Sequence, residues 1–189
     1  ITTYHVLRPT NNGIREYKAL LCELKEYFKK NHYDIVHINT SNVYVCASVS
    51  YALKGQAFLI IHSHNTRATM RCENSIKYFI KNLLKVLCRK YVLQKGNYYF
   101  ACSNAAGENL FGRRILKTNK FKIIHNAIDI SKYTYSREIR GRIKKNANYV
   151  FGHVGRLSKQ KNPEFLVDIF AEIHKLIPNS ELWMIGEGE

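Results

Sequence analysis

The residues best spaced for chemistry stand in the segment FGHVGRLSKQKNPEF. Gly155 and Arg156 follow an apolar run, Lys161 ends a short polar loop, and Asn162 with Pro163 is typical of a helix start. Glycine lets an anion approach the backbone, a helix N-terminus presents N–H groups, and the two cations can neutralise a diphosphate. The segment therefore suits binding of a nucleoside diphosphate and its stabilisation as a leaving group. A surface loop with solvated cations has the same composition.

Histidines and amides stand at the ends of two other apolar runs. His37 and Asn39 lie in YDIVHINTS, and His62, His64 and Asn65 lie in FLIIHSHNT. Strands that end in polar residues direct them into the crevice at the carboxyl edge of a parallel sheet, where open α/β folds bind ligands. A histidine there can orient a sugar, or stabilise positive charge through its ring or a neighbouring carbonyl. Taken alone, each histidine is explained more simply as a polar strand end.

Strands and helices must position these residues, and the chain alternates the two. Apolar runs predict strands at 35–38, 58–62, 98–101, 122–124, 150–154 and 182–185. Helical periodicity predicts helices at 14–30, 42–53, 74–94, 104–111, 136–145 and 163–176. This alternation is typical of α/β folds with parallel sheets. The polar, basic stretch between Ala127 and Asn148 is a candidate domain junction, and one more crossover helix within a single sheet explains it equally well.

Composition narrows the function classes. The 46% of hydrophobic residues excludes a disordered chain, and the formal charge of +16 suits phosphate ligands, nucleic acid or an anionic membrane. The 5 cysteines are widely spaced without a C-x-x-C pair, which predicts reduced thiols in a cytoplasmic protein. No apolar run approaches the roughly 20 residues of a membrane-spanning helix. The chain starts at Ile1 without a signal peptide, so its true N-terminus is expected upstream.

The segment 73–96 predicts an amphipathic helix. Its apolar face consists of Ile76, Ile80, Leu83, Leu84, Leu87 and Tyr91. A stripe of basic residues recurs at every fourth position, at Lys77, Lys81, Lys85 and Arg89. Attraction to anionic lipid, worth about 1 kcal/mol per basic residue, explains this stripe as well as a plain solvated helix face does. For the apolar face, packing on the sheet is the common explanation.

The order of the motifs resembles family 4 glycosyltransferases over most of the chain. G-R-L-x-x-x-K-N after an apolar strand, followed by a strand and G-x-G, is similar to the family's C-terminal domain. By that resemblance, Arg156 and Lys161 match the diphosphate-binding pair, and Gly155 matches the glycine before it. Gly186 and Gly188 match the G-x-G turn on the donor side.

Two upstream segments carry the same resemblance. IIHNAIDISKY is similar to the family's strand-N-G-x-D motif, with Asn126 in place and Ala127 where glycine is expected. When Asn65 is aligned with the family's Asp, His64 matches the histidine that lines the sugar site, and His62 is the second choice. His37, Asn39, Asn65 and Asn126 are then expected to line the cleft.

The resemblance implies the GT-B fold, in which two Rossmann-like domains contain parallel sheets. Residues 1–132 would form the acceptor-side domain, and residues 133–189 would begin the domain that binds the nucleotide sugar. The family's first strand would precede Ile1, and its E-x7-E motif would follow Glu189. The chain is therefore expected to be an internal fragment of the enzyme, inactive alone.

The resemblance also implies a function. We expect retaining transfer of a hexose from a nucleoside diphosphate sugar to a saccharide or lipid-linked saccharide, in bacterial capsule or exopolysaccharide synthesis. The protein would be cytoplasmic or peripheral on the inner face of the membrane. No cofactor or metal is expected, since Arg156 and Lys161 can replace a cation and no D-x-D or His/Cys cluster occurs.

Three alternatives remain. A nucleotide-sugar epimerase of the same fold differs in residues expected beyond Glu189. A basic nucleic-acid-binding protein suits the charge, but no helix-turn-helix, zinc finger or RNP signature occurs, so nucleic acid is not an expected partner. A dinucleotide-dependent Rossmann enzyme requires G-x-G-x-x-G after an early strand, which the chain lacks.

Overall fold

The chain divides into two compact units, Ile1–Ile128 and Asp129–Glu189. The computed structural model describes residues 14–66, 76–136, 138 and 148–188. Each unit contains parallel strands connected through helices, which confirms the predicted α/β class. The boundary after residue 132, and the roles of the two units on the acceptor and donor sides, stay predictions.

The first unit alternates strands and helices. Its strands are β1 Ile35–Asn39, β2 Phe58–Ser63, β3 Tyr98–Ala101 and β4 Phe121–Ile123. Its helices are α1 Ile14–Lys30, α2 Val43–Leu53, α3 Ile76–Lys95 and α4 Asn104–Phe111. All four strands are parallel and lie in the order β1-β2-β3-β4. Crossovers between parallel strands are right-handed as a rule, and with sequential neighbours this rule puts the connecting helices on one face of the sheet.

Local capping fixes where two of these helices begin. The Asn42 side chain accepts a hydrogen bond from the backbone N–H of Tyr44 at 3.0 Å before α2. The Ser103 hydroxyl accepts from the N–H of Ala106 at 3.2 Å before α4. These bonds satisfy backbone donors that have no partner inside the helix. Because each cap directly follows the loop after a strand, it also positions the carboxyl edge of the sheet.

The core of the first unit lies between the helices and one face of the sheet. Its main buried side chains are Leu20, Leu24, Phe28, Ile38, Val43, Cys46, Val49, Leu53, Leu59, Ile61, Val92, Tyr99, Leu110 and Phe111. Tyr99 is fully buried, and its hydroxyl lies within hydrogen-bond distance of the Leu93 and Gly96 carbonyl oxygens, at 2.8 and 2.9 Å. This contact ties the end of α3 to β3.

The opposite face of the sheet exposes Ile35, Phe58 and Tyr98. The described helices therefore pack on one face only, and the His and Phe side chains of the strands share the other face with these apolar residues. No helix in the described part of the chain is long and apolar enough to cross a bilayer.

The second unit is smaller. Its strands β5 Tyr149–Val154 and β6 Ser180–Ile185 pair in parallel, and helix α5 spans Pro163–Leu176. Among residues 129–136, 138 and 148–188, Ser180 alone is buried. The helix predicted at 136–145 falls almost entirely on residues outside the described part.

Candidate functional site

A polar cluster at the carboxyl edge of the first sheet is centred on His64. Asn39 ends β1, His64 follows β2 and Asn126 follows β4. The His64 Nε2 atom lies 2.9 Å from Asn39 Oδ1, and its Nδ1 atom lies 3.2 Å from Asn126 Oδ1. An imidazolium can donate to both oxygens, whereas a neutral ring requires one amide to present its NH₂ group. The structure thus brings together three residues that were predicted to meet at this edge.

Backbone contacts hold the His64 segment in place. The Ser41 hydroxyl accepts hydrogen bonds from the N–H groups of His64 and Asn65, at 3.1 and 2.9 Å. Cys102 donates to the His64 carbonyl at 3.3 Å, and Asn109 donates to the Asn65 carbonyl at 3.5 Å. Ser41, Cys102 and Asn109 were not predicted. Only Ser41 gave a sequence signal, since it is a polar residue just beyond a strand.

Two other histidines stack beside this cluster on the exposed face of the sheet. The His37 and His62 rings are almost parallel, at 2°, with centroids 5.5 Å apart, and the His62 ring lies 4.0 Å from that of His64. His62 is buried, and its Nε2 atom has no hydrogen-bond partner among the described residues. His37 lies in the middle of β1, so it contacts the cluster through His62 and not at the strand end.

Burial and neighbouring histidines lower the pKa of two of these rings, His37 and His62. Burial and the charge of His64 lower the pKa of His37. Burial, His64 and His37 lower the pKa of His62, and a hydrogen bond to the Ile124 backbone opposes this shift in part. Both rings are therefore neutral at neutral pH. The cluster presents neutral imidazoles beside a histidine that lies between two amides.

The second candidate site joins two loops of the second unit. The Gly155 N–H donates to the Ile185 carbonyl at 3.0 Å, and the Leu157 N–H donates to the Glu187 carbonyl at 2.8 Å. These bonds extend the pairing of β5 and β6 beyond the ends of both strands. The predicted donor-side segments, one after each strand, are thus adjacent.

The two glycines of the G-x-G turn have different structural needs. Gly186 has a φ of +154°, and a Cβ atom there would lie 1.9 Å from the Gly155 carbonyl oxygen. Only glycine fits this position, because the two loop backbones are in direct contact. A Cβ atom at Gly188 would meet the Leu157 oxygen at 3.8 Å, which is an ordinary contact.

Arg156 and Lys161 are exposed on this pair of loops, and neither side chain has a hydrogen-bond or ion-pair partner in the described part of the chain. The N–H groups of Lys161 and Asn162 both donate to the Ser158 carbonyl, at 2.8 and 3.1 Å, which closes the turn between them. Asn162 is the N-cap of α5, but its φ is 49° and its side chain makes no capping bond. The helix therefore begins with donors that its cap does not satisfy.

Helix α3 departs from two predictions, an exposed stripe of basic residues and an apolar face packed on the sheet. The Arg89 guanidinium donates to the carbonyls of Asn109 and Leu110, at 2.8 and 3.0 Å, and burial lowers its pKa. It therefore closes the end of α4 and does not belong to an exposed basic stripe. Lys81 is exposed and Lys85 is half-buried, and the Lys77 side chain lies outside the described residues.

The apolar face of α3 is not packed on the sheet. Ile76, Ile80, Leu83 and Leu87 are 51–80% exposed, and the helix reaches the core mainly through Val92. The expectation that this face is covered by the sheet was wrong. These residues lie between Ile76 and Leu87, and α3 enters the core only beyond them, at Val92.

No group of three or more His, Cys, Asp or Glu side chains suited to a metal ion occurs at 14–66, 76–136, 138 or 148–188. The expected independence from metal stays a prediction.

The chain is similar in sequence to a known family and to characterised proteins. Residues 1–132 match the model of Glycosyltransferase Family 4. The chain is 26% identical over 187 residues to the UDP-Gal:alpha-D-GlcNAc-diphosphoundecaprenol alpha-1,3-galactosyltransferase of Escherichia coli, covering 93% of the chain and 46% of that protein. It is 24% identical over 162 residues to EpsF of Bacillus subtilis (strain 168), a candidate glycosyltransferase, covering 82% of the chain and 41% of EpsF. The chain thus spans less than half the length of these relatives.

Solved structures share the fold. Anabaena HepE in complex with UDP and glucose superposes with a TM-score of 0.63 at 22% identity, over 96% of the chain and 46% of HepE. TarM superposes with a TM-score of 0.53 at 16% identity, over 90% of the chain and 32% of TarM. The S. aureus MnaA–UDP structure superposes with a TM-score of 0.50 at 14% identity, over 94% of the chain and 47% of MnaA. The GT-B class predicted from the motifs is confirmed.

Proposed function

This chain belongs to Glycosyltransferase Family 4, and from that membership we propose that it is part of a retaining hexosyltransferase with a nucleoside diphosphate sugar as donor. The observation that carries this proposal is the pair of joined loops at Gly155 and Gly186, on which Arg156 and Lys161 are exposed. UDP is the nucleotide to test first, since HepE and MnaA were solved with UDP.

The proposed donor chemistry is charge stabilisation. The bond between the anomeric carbon and the diphosphate oxygen breaks, the acceptor hydroxyl oxygen bonds to that carbon on the same face, and the hydroxyl proton is released. Negative charge grows on the departing diphosphate, and Arg156 and Lys161 neutralise it without a metal. Gly155 and Gly186 carry no side chains, so that a phosphate can approach the backbone of the joined loops.

The proposed sugar-binding chemistry belongs to the His64 cluster. Amide and imidazole groups both donate and accept hydrogen bonds, as sugar hydroxyls require. Asn39 and Asn126 orient the His64 ring, and Ser41 holds its backbone. His62 and His37 stay neutral beside it. These two rings therefore do not repel the positive charge that develops on the sugar.

A lipid-linked saccharide is the proposed acceptor. The name of the E. coli relative describes transfer to a GlcNAc-diphosphoundecaprenol, which is such a molecule. We place the protein on the cytoplasmic face of the membrane in polysaccharide biosynthesis. The exposed apolar side chains of α3, together with Lys81 and Lys85, support contact with an anionic bilayer there.

Binding of UDP to this chain tests the donor site. Arg156→Ala and Lys161→Ala should each weaken UDP binding about tenfold to hundredfold, the effect of losing one charge-assisted hydrogen bond. The measurement is isothermal titration with UDP, and circular dichroism should show an unchanged fold because both side chains are exposed.

Lys159→Ala is the matched control, because Lys159 is an exposed lysine of the same loop without a proposed role. It should bind UDP within about twofold of the unaltered chain, since removal of a solvated charge has little effect. Equal UDP binding by all three variants would contradict the donor-site proposal.

A further inference from the structure

An apolar groove lies between the first three helices of the first unit. Its volume is about 790 Å³, which falls within the range of about 300–1,000 Å³ for small-molecule sites. Its lining comes from all three helices and includes Tyr17, Leu21, Ala47, Tyr51, Leu84 and Leu87. The groove is separate from the donor loops, which belong to the other unit.

The α3 side of the groove exposes apolar side chains. Ile80, Leu84 and Leu87 recur on one face of α3, and their side chains are 51%, 42% and 52% exposed. Ala47 and Ser48 are small, so the α2 side of the groove leaves room between the larger side chains. Contiguous apolar surface of this kind marks a binding site on a protein that is otherwise strongly charged.

The groove continues toward the His64 cluster by way of basic residues. Lys81 lines the groove, and Tyr44 lines both the groove and a small neighbouring cavity. Lys85, Ser41 and Asn109 line that cavity. Ser41 and Asn109 are two of the residues that hold the backbone of the His64 segment. The order along the surface is therefore apolar, then cationic, then polar.

We propose that this groove binds the hydrocarbon chain of the lipid-linked acceptor, with its phosphate groups at Lys81 and Lys85 and its saccharide directed to the His64 cluster. The inference rests on the proposed function for the identity of the acceptor. A hydrocarbon chain, a phosphate and a sugar follow one another in such an acceptor, and they match the apolar, cationic and polar parts of the surface in that order. α3 carries no acidic side chain that would repel the phosphate.

A flat bilayer would also contact residues of α3 outside the groove. It contacts side chains that project outward, such as Phe79, which is 70% exposed. A bilayer surface does not enter a groove, whereas a single hydrocarbon chain can fill one. Substitutions inside the groove therefore separate the two occupants.

Farnesyl diphosphate is a soluble probe that has both a hydrocarbon chain and phosphates. Its binding to the full chain is measured by isothermal titration with no sugar donor present. Ala47→Trp fills the groove and should weaken binding about tenfold or more, a loss of about 1.4 kcal/mol. Ala19→Trp, at an exposed position of α1 outside the groove lining, should bind as the unaltered chain does.

The phosphate part is tested with a second pair of variants. Lys81→Ala combined with Lys85→Ala should weaken farnesyl diphosphate about tenfold and leave the affinity for farnesol unchanged. Lys90→Ala is the control, because Lys90 is an exposed lysine of α3 outside the lining of both cavities. Inorganic diphosphate should bind much more weakly than farnesyl diphosphate to the unaltered chain.

Circular dichroism checks that each variant folds. If Ala47→Trp is unfolded, Leu84→Ser combined with Leu87→Ser replaces it, since both side chains are already 42–52% exposed. An unchanged affinity for farnesyl diphosphate in a folded groove variant would overturn the proposal. Equal affinities of the unaltered chain for inorganic diphosphate and farnesyl diphosphate would also overturn it. The same holds if the groove variants lose binding to phosphatidylglycerol vesicles but keep their affinity for farnesyl diphosphate.

Failure here is distinguishable from failure of the proposed function. UDP titrations of the same variants report the donor loops, which lie in the other unit. Loss of farnesyl binding with normal UDP binding in the groove variants supports the groove proposal. Absence of UDP binding in the unaltered chain would instead contradict the donor site.

Discussion

His64 is the residue on which the first candidate site depends. Its ring contacts Asn39 and Asn126, and its backbone contacts Ser41 and Cys102. The ring is exposed, so it contributes little to the core and is held in one orientation by polar groups alone. Such an arrangement serves a ligand better than it serves stability.

His64→Ala should therefore reduce sugar transfer and spare the fold. In the enzyme that contains this chain, we expect kcat to fall about 10²- to 10³-fold, as when a positioned stabilising group is lost. The thermal midpoint should hardly change, because exposed substitutions cost about 0.5 kcal/mol or less. His125→Ala is the control, since His125 is exposed beside Asn126 and has no proposed role. Equal losses in both variants would rule out a specific role for His64.

The histidine stack also makes stability depend on pH. The pKa values of His37 and His62 are lowered from 6.5, so the unfolded chain binds protons more readily than the folded chain does. Their contribution to stability is complete above pH 6.5 and is lost as the pH falls toward the folded pKa values. Thermal unfolding between neutral and mildly acidic pH should show a falling midpoint.

His62→Gln should make that decline shallower, because glutamine does not titrate. His32→Gln is the matched control, since His32 is exposed in the loop after α1. The interpretation fails if His62→Gln and His32→Gln change the slope equally.

At the scale of elements, the turn after β6 is the most constrained. Gly186→Ala would require a side chain at a φ of +154°, with its Cβ atom 1.9 Å from the Gly155 oxygen. Backbone strain alone costs about 1–3 kcal/mol, and the clash would separate the two loops. We expect weaker UDP binding and a shift in the fluorescence of Trp183, the one tryptophan of the chain, which lies in β6.

Gly188→Ala should change neither property, because a Cβ atom there meets only an ordinary contact. If Gly186→Ala behaves like Gly188→Ala, the close contact of the two loops does not matter for the site.

The elements themselves were predictable from the sequence. Tyr98–Ala101, Asn104–Phe111 and Pro163–Leu176 have the predicted limits, because buried parallel strands are short apolar runs and helices have clear caps or periodicity. The exposure of the apolar face of α3 was not predictable. Periodicity identifies an apolar face, but tertiary packing decides what covers it.

The candidate site was predictable to the extent that strand ends determine it. His64, Asn39 and Asn126 meet because each follows a strand of one parallel sheet. Cys102 and Asn109 contact the same segment through the geometry of β3 and α4, which no local pattern reveals. The left-handed Asn162 likewise depends on the turn before it.

At the scale of the whole molecule, the two units differ in how much they bury. The core cluster extends from Leu20 to Phe111, all within the first unit. In the described part of the second unit, Ser180 alone is buried, and Phe165, Val167 and Leu176 are exposed. Burial of apolar side chains is the main favourable term in folding, so the first unit has the greater stability of its own.

Cutting the chain after residue 132 tests this difference and the predicted domain boundary together. Residues 1–132 should unfold in one cooperative thermal transition, because they contain the complete core cluster. Residues 133–189 should show no such transition, since two strands and one helix leave the described apolar side chains in water. Far-UV circular dichroism follows both pieces, and Trp183 fluorescence follows the second. A cooperative transition in residues 133–189, or none in residues 1–132, would mean that the units depend on each other for folding.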